Sequence, residues 1–473
     1  MKSLRSDLVL TVFSHLLTKP VWLIADNLIQ DRLGHETYGL IGALHSYATW
    51  ANVIADWSLS YHIARQIAQA SHLIRPTAAQ TLLPKLFLSL FTGGLFLFLG
   101  YLVGYAQESL WWLSGLLGYQ ILLSWIQYFR SFFQGAQLFR VDALLANAEK
   151  AVVIVLILVF WRYMSGHLYI LILVTGSGIA LGGIGLWAWK QFGPWSVELS
   201  RKELWSLFRR LTPYAVLVLV GGLNERLNQV LIERLAGPYE NGLYLGAYRW
   251  FGASMMYLWV VLPIFYARFA MLGHRPTPTL WRTFLMGQLS VAIPLMAVTL
   301  VMLVEPELFL ILFRHSTEEE LRVMAQNLQI LAIAGTLNAL FNIYSTHLTA
   351  NGQERASLMI IAFATIVNMA GCWWWVPRYG AIGGSLALLV SYATFSAGHY
   401  VFFQRWVGLA RPVGSLPWLL LGIWLGVGGC AYLLRGYLPF ILKGVWGGGA
   451  VLVYGVVLYL GGILHLWRRA SRV

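Results

Sequence analysis

The chain has little charge, almost no cysteine and no long polar stretch. Only 11% of its 473 residues are charged, while 58% are hydrophobic. A soluble domain of this size must turn a polar outside to water, so that balance excludes one. The two cysteines, Cys372 and Cys430, both fall inside apolar segments. That placement reads as packing, and it excludes a disulfide framework or a cysteine metal site. No P-loop, H-E-x-x-H or G-x-S-x-G pattern occurs, and no connection between apolar runs exceeds roughly 25 residues. A folded catalytic domain needs a longer insertion, which counts against a membrane-embedded polysaccharide polymerase or ligase.

What is present is apolar sequence in bilayer-sized pieces. Hydropathy gives about fourteen candidate spans, each near the ~20 residues that cross a membrane, so the expected fold is an all-α polytopic membrane protein. Lys2 and Arg5 precede the first apolar run, but no small-residue cleavage site follows, and the run reads as a retained helix. With the N-terminus inside, about 20 of the 33 basic residues fall in inner segments and about 8 in outer loops. Both termini are therefore expected in the cytoplasm. The net charge of +14 then reflects topology and contact with anionic lipid heads, and it calls for no nucleic acid.

The chain also repeats itself. Gly34, Gly39, Ala64 and Arg65 return at one fixed offset as Gly237, Gly242, Ala267 and Arg268. Leu28-Ile29-Gln30-Asp31-Arg32-Leu33 is echoed by Leu231-Ile232-Glu233-Arg234-Leu235. The copies begin six spans apart, so both enter the membrane in the same direction and form parallel repeats about an axis along the membrane normal. The expected organisation is a six-helix lobe over 1–190, a cytoplasmic linker over 191–210, a second six-helix lobe over 211–405 and two additional helices over 406–473.

Polar residues inside the spans fall at helical spacing. His15, Lys19, Trp22 and Asp26 follow a 4-3-4 spacing in the first span, and His45, Thr49, Asn52 and Asp56 follow it in the second. Asn338, Asn342, Ser345 and Thr349 do so in the tenth, while Gln127, Arg130, Gln134 and Gln137 line one side of the fourth. The seventh offers Asn224 and Asn228 beside Glu225 and Arg226, and the eighth adds Arg249. An ionisable group in hydrocarbon costs at least about 2.5 kcal/mol, so such groups face a partner or a wet cavity. An isolated Asn or Thr is adequately explained as a helix-to-helix hydrogen bond. Whole stripes with charges on several helices point instead to a common central cavity. Arg65 and Arg268, at inner span ends, can snorkel to lipid phosphates or serve that cavity. A cationic cavity suits an anionic substrate, because Arg binds phosphate bidentately. The candidate substrate-binding residues are thus Arg249, Arg226, Arg130, Asn52, Asn224, Asn228, Arg65 and Arg268.

The stretch from Arg32-Leu33-Gly34 through Tyr38-Gly39 to Ala64-Arg65 resembles the polysaccharide-transporter branch of the multidrug/oligosaccharidyl-lipid/polysaccharide exporter superfamily. So do Leu348-Thr349-Ala350-Asn351-Gly352-Gln353 and Pro377-Arg378-Tyr379-Gly380-Ala381-Ile382-Gly383-Gly384. The resemblance implies two six-helix lobes in a V shape and a flippase of the O-antigen (Wzx-like) type. It also implies a lipid-linked oligosaccharide on undecaprenyl pyrophosphate as substrate, moved by alternating access in the bacterial inner membrane. Proton or sodium coupling goes with it, and Asp26 and Asp56 are the positions that can serve such coupling. No cofactor, metal or catalysis is implied; membrane lipids and other polysaccharide-assembly proteins are the remaining partners. A cation-coupled multidrug antiporter on the same fold is the alternative.

Overall fold

The computed structural model describes residues 20–193, 201–407, 411–435 and 440–460. Every element of regular structure among them is helical, which makes the chain an all-α polytopic membrane protein. The chain divides into two compact units, Met1–Val230 and Leu231–Val473.

In the first unit, α1 covers 20–33 and α2 follows at once over His35–Asp56. Then come α3 (Leu59–Gln69), α4 (Ile74–Leu102), α5 (Gln107–Gly135), α6 (Phe139–Phe160) and α7 (Gly166–Phe192). Helix α8 (Arg201–Ala236) carries the chain out of this unit. Helix α5 is the centre, packing on α2, α3, α4 and α7. Its Tyr128, Phe132 and Phe133 meet Ile63 and Ile67 of α3 and Ile184 of α7 in one buried cluster.

The second unit is also built around one central helix. Helix α9 (Pro238–Leu272) is followed by α10 (Pro278–Val304), a short α11 (Glu307–Leu310), α12 (Glu318–Ala350) and α13 (Glu354–Val407). Here α12 is central and packs on α9, α10 and α13. Helix α13 runs 54 residues but breaks at Gly380 (φ 52°, ψ −129°), so it is two helices in one run. Its second half starts against Glu240 of α9, whose carboxylate accepts from the Ala381 N–H at 2.8 Å. Helices α14 (Arg411–Arg435) and α15 (Phe440–Leu460) pack on α10. Buried Trp424 donates its indole N–H to the Met296 carbonyl at 2.9 Å, and Arg435 ties α14 to Glu307 at 2.5 Å.

Eight helical segments among the described residues are long and apolar enough to cross a membrane, from α4 through α14. Helices α2, α5 and α8, which carry polar stripes, are not among them. Cys372 is buried as expected, whereas Cys430 is exposed on the apolar surface of α14.

The repeat is visible in local geometry. Helices α2 and α3 together cover 35–69, and α9 covers the same stretch shifted by the repeat offset. Each is preceded by a glycine in matching backbone geometry: Gly34 at φ 81°, ψ 159° and Gly237 at φ 95°, ψ 167°. Only glycine occupies that region without strain, and a side chain there costs about 1–3 kcal/mol. Gly34→Ala and Gly237→Ala are therefore each expected to lower the thermal unfolding temperature of the detergent-solubilised protein. Unchanged unfolding in both variants would show that the turns relax. The copies differ in one respect. The first is interrupted at Trp57 and Ser58, both left-handed (φ 44° and 60°), whereas α9 continues unbroken.

Candidate functional site

That interruption falls next to Asp56. A bulky residue in the left-handed region is strained, and such strain collects where a site needs a particular geometry. Here it ends α2 so that Asp56 receives the first turn of α3, accepting from the Ser60 hydroxyl at 2.5 Å and the Ser60 N–H at 3.4 Å. Lys85 of α4 donates to the same carboxylate at 3.3 Å. The Lys85 side chain is 0% exposed, and that of Asp56 is 20% exposed. Lys85 also donates to the Ala55 carbonyl at 3.2 Å and the Ser124 hydroxyl of α5 at 2.5 Å, with the Trp125 and Tyr128 rings about 6 Å away.

The rest of the α2 stripe forms two further tiers above this pair. In the middle tier Gln120 of α5 gathers three members: its Nε2 donates to His45 Nε2 at 3.0 Å and to Thr49 Oγ1 at 3.3 Å. Asn52 Nδ2 donates to the Gln120 backbone carbonyl at 3.0 Å and to its side-chain oxygen at 3.1 Å. Beside them the Tyr119 hydroxyl donates to buried Glu149 of α6 at 3.3 Å. In the last tier Asp26 of α1 accepts from the hydroxyls of Tyr38 at 2.5 Å and Tyr169 of α7 at 3.1 Å. His45 lies in the electrostatic field of both Asp26 and Arg226, which brings α1, α2 and α8 to one place. Ser46, on the neighbouring face of α2, donates to Gln229 of α8.

Magnitudes separate this ladder from simple glue. A neutral hydrogen bond between membrane helices contributes about 0.6 kcal/mol, and one or two suffice to hold a pair together. Each charge placed in hydrocarbon costs at least about 2.5 kcal/mol. Asp26, Asp56, Lys85 and Glu149 make this cluster costlier than neutral links alone, and the Lys85–Asp56 pair and the hydroxyl donors to Asp26 and Glu149 offset part of that cost.

The other expected residues are placed as follows. Arg130 is bound bidentately to Asp142 of α6, Nε at 2.8 Å and Nη2 at 3.2 Å, with Gln127 and Gln134 completing the group. Gln137 falls past the end of α5, exposed at φ 58°, and does not extend that stripe. Asn224 and Arg226 are half-buried on α8 and Asn228 is buried. Arg249 is half-buried on α9, and Arg65 and Arg268 are exposed on α3 and α9. His15 and Lys19 lie outside the described residues, as does the side chain of Glu225. The α12 stripe is uncharged. Asn342 donates to Asn338 at 2.9 Å, and Ser345 meets Ser357, which bonds His399 at 2.9 Å. The first bond lies within α12, the second joins α12 to α13 and the third lies within α13, the short local links expected of structural polar residues.

Sequence reasoning missed Lys85 and Gln120. Gln120 was available by phase, since it stands two turns before Gln127 on the same side of α5. Lys85 begins the third span, where a lysine reads as an end residue reaching for lipid heads. Only the packing of α4 on α2 and α5 shows it turned inward.

No protein among the curated sequences matches this chain. Solved structures do, at identities that speak to fold alone. The lipid II flippase MurJ in an inward closed conformation superposes with TM-score 0.69 at 12% identity, over 96% of this chain and 100% of that one. An inward-facing multidrug resistance MATE family transporter of the MOP superfamily gives 0.67 at 15% identity, over 82% and 94%. A MOP superfamily transporter from Pyrococcus furiosus gives 0.56 at 14% identity, over 87% and 94%. The family described as polysaccharide biosynthesis protein matches residues 4–267, more than half of the chain. That match places the chain in the polysaccharide biosynthesis protein family.

Proposed function

We propose that the protein is a flippase. It carries a lipid-linked oligosaccharide, anchored on undecaprenyl pyrophosphate, from the cytoplasmic to the outer leaflet of the bacterial inner membrane for surface polysaccharide (O-antigen) biosynthesis. Transport is by alternating access of two six-helix lobes, with both termini in the cytoplasm, and needs no enzyme chemistry or cofactor. The observation that carries this reading is the charged ladder of the first unit, joined to membership of a polysaccharide biosynthesis family. Arg226, Arg249 and Arg130 meet the pyrophosphate in turn, each replacing part of the hydration it loses. Asn52, Asn224 and Asn228 offer amide donors and acceptors to the glycan, and Arg65 and Arg268 stand where the substrate enters. Asp26 and Asp56 exchange a proton or sodium ion against the substrate.

Reconstituted vesicles test both parts. The wild-type protein is expected to move lipid-linked oligosaccharide at a rate that rises with an imposed cation gradient, proton or sodium. Asp26→Asn and Asp56→Asn should lose that dependence; full dependence in both variants removes the coupling assignment. Vesicles that expel cationic dyes but move no lipid-linked oligosaccharide would replace the flippase with a multidrug antiporter.

A further inference from the structure

A second polar site lies at one end of the first unit, apart from the ladder. Helix α3 contributes His62 and Gln66, the start of α4 contributes Thr77 and Gln80, and α8 contributes Arg210. They enclose a cavity of about 280 Å³. That is below the ~300–1,000 Å³ of pockets that hold whole drug-sized ligands, and large enough for a small polar group.

The charge of the lining is one-sided. Amide, hydroxyl, imidazole and guanidinium groups can each turn an N–H or O–H inward, Leu73 and Pro76 complete the wall, and no carboxylate is among the described residues lining it. Arg210 and Arg65 both act electrostatically on His62, so the cavity sits in a positive field. The bonds Arg210 makes are long and local, Nε to the Ser206 carbonyl at 3.2 Å and Nη2 to the Ser206 hydroxyl at 3.4 Å. An anionic oxygen makes shorter and stronger bonds to guanidinium than these neutral acceptors.

The surroundings say where such an anion comes from. One turn beyond Gln80, α4 exposes Leu83, Leu86, Phe87 and Leu90, at 43%, 46%, 62% and 70%. An apolar face of that kind on a membrane-spanning helix suits acyl chains, and a donor-rich cavity at the start of that helix suits a headgroup.

We propose that this cavity binds the phosphate group of an anionic phospholipid, with Arg210 as the bidentate partner and Gln66, Thr77 and Gln80 as supporting donors. The site holds a resident lipid and is independent of the transported substrate, so it stands or falls separately from the flippase reading.

The test uses the full-length protein in nanodiscs of phosphatidylcholine, titrated with phosphatidylglycerol and read by native mass spectrometry of retained lipid. A parallel arm titrates inorganic phosphate against thermal unfolding in detergent. Arg210→Gln is expected to retain phosphatidylglycerol about tenfold more weakly or worse, the loss of one charge-assisted contact. Arg210→Lys should recover part of this, and Arg209→Gln, on an exposed neighbour outside the lining, should match wild type. Arg210-dependent stabilisation by inorganic phosphate without phosphatidylglycerol retention would assign the cavity to a soluble phosphate compound and overturn the lipid. Equal retention by wild type and Arg210→Gln, in a variant that unfolds like wild type in lipid-free detergent, would overturn the site.

Discussion

Asp56→Asn is expected to destabilise the protein more than Lys85→Met, although both break the same ion pair. The two partners are not equally buried: the Lys85 side chain is 0% exposed and that of Asp56 is 20% exposed. Removing the carboxylate charge strands a buried ammonium with only the Ala55 carbonyl, the Ser124 hydroxyl and a neutral amide to face. Breaking a buried pair in that way costs about 3–5 kcal/mol. Removing the ammonium leaves Asp56 less buried than Lys85 and with both Ser60 donors, a smaller loss. The double variant should recover much of what Asp56→Asn alone loses, because no charge is then left stranded. Thermal unfolding of the four proteins in one detergent gives the comparison. A double variant less stable than either single would mean that the pair is not the coupled unit its geometry describes.

On the flippase reading proposed above, glutamine at Arg226 or Arg249 is expected to cut surface-glycan display at least about tenfold while the protein stays in the membrane at its normal level. Loss of a charge-assisted hydrogen bond removes about 1.5–3 kcal/mol, and each 1.4 kcal/mol is roughly tenfold in binding. Lysine at either position should restore part of the display, since it keeps the charge and loses the bidentate fork. Arg130 stands apart, because Asp142 already occupies its fork, and a substrate reaches it only at the expense of that pair. Glycan display measured in a strain lacking the native copy, with immunoblots for protein level, decides the matter. Unchanged display in the glutamine variants would assign Arg226 and Arg249 to structural ion pairs.

The all-helical fold and the shared face of the α2 stripe were legible in the sequence, because each depends on short-range periodicity. Hydropathy over a bilayer-length window marks a span, and a 4-3-4 spacing places His45, Thr49, Asn52 and Asp56 on one face wherever that helix packs. The repeated glycines likewise carry their backbone geometry with them, and Gly34 and Gly237 share it. Some local features still escaped, since no propensity announces that Trp57 and Ser58 turn left-handed and end α2 at Asp56. Partners were out of reach for a different reason. Which side chain meets Asp56 depends on how α4 crosses α2 and α5, a relation between segments that a one-dimensional pattern does not contain. Tertiary packing therefore decided that Lys85 turns inward to Asp56, that Gln120 gathers the middle of the stripe, and that Arg130 is held by Asp142.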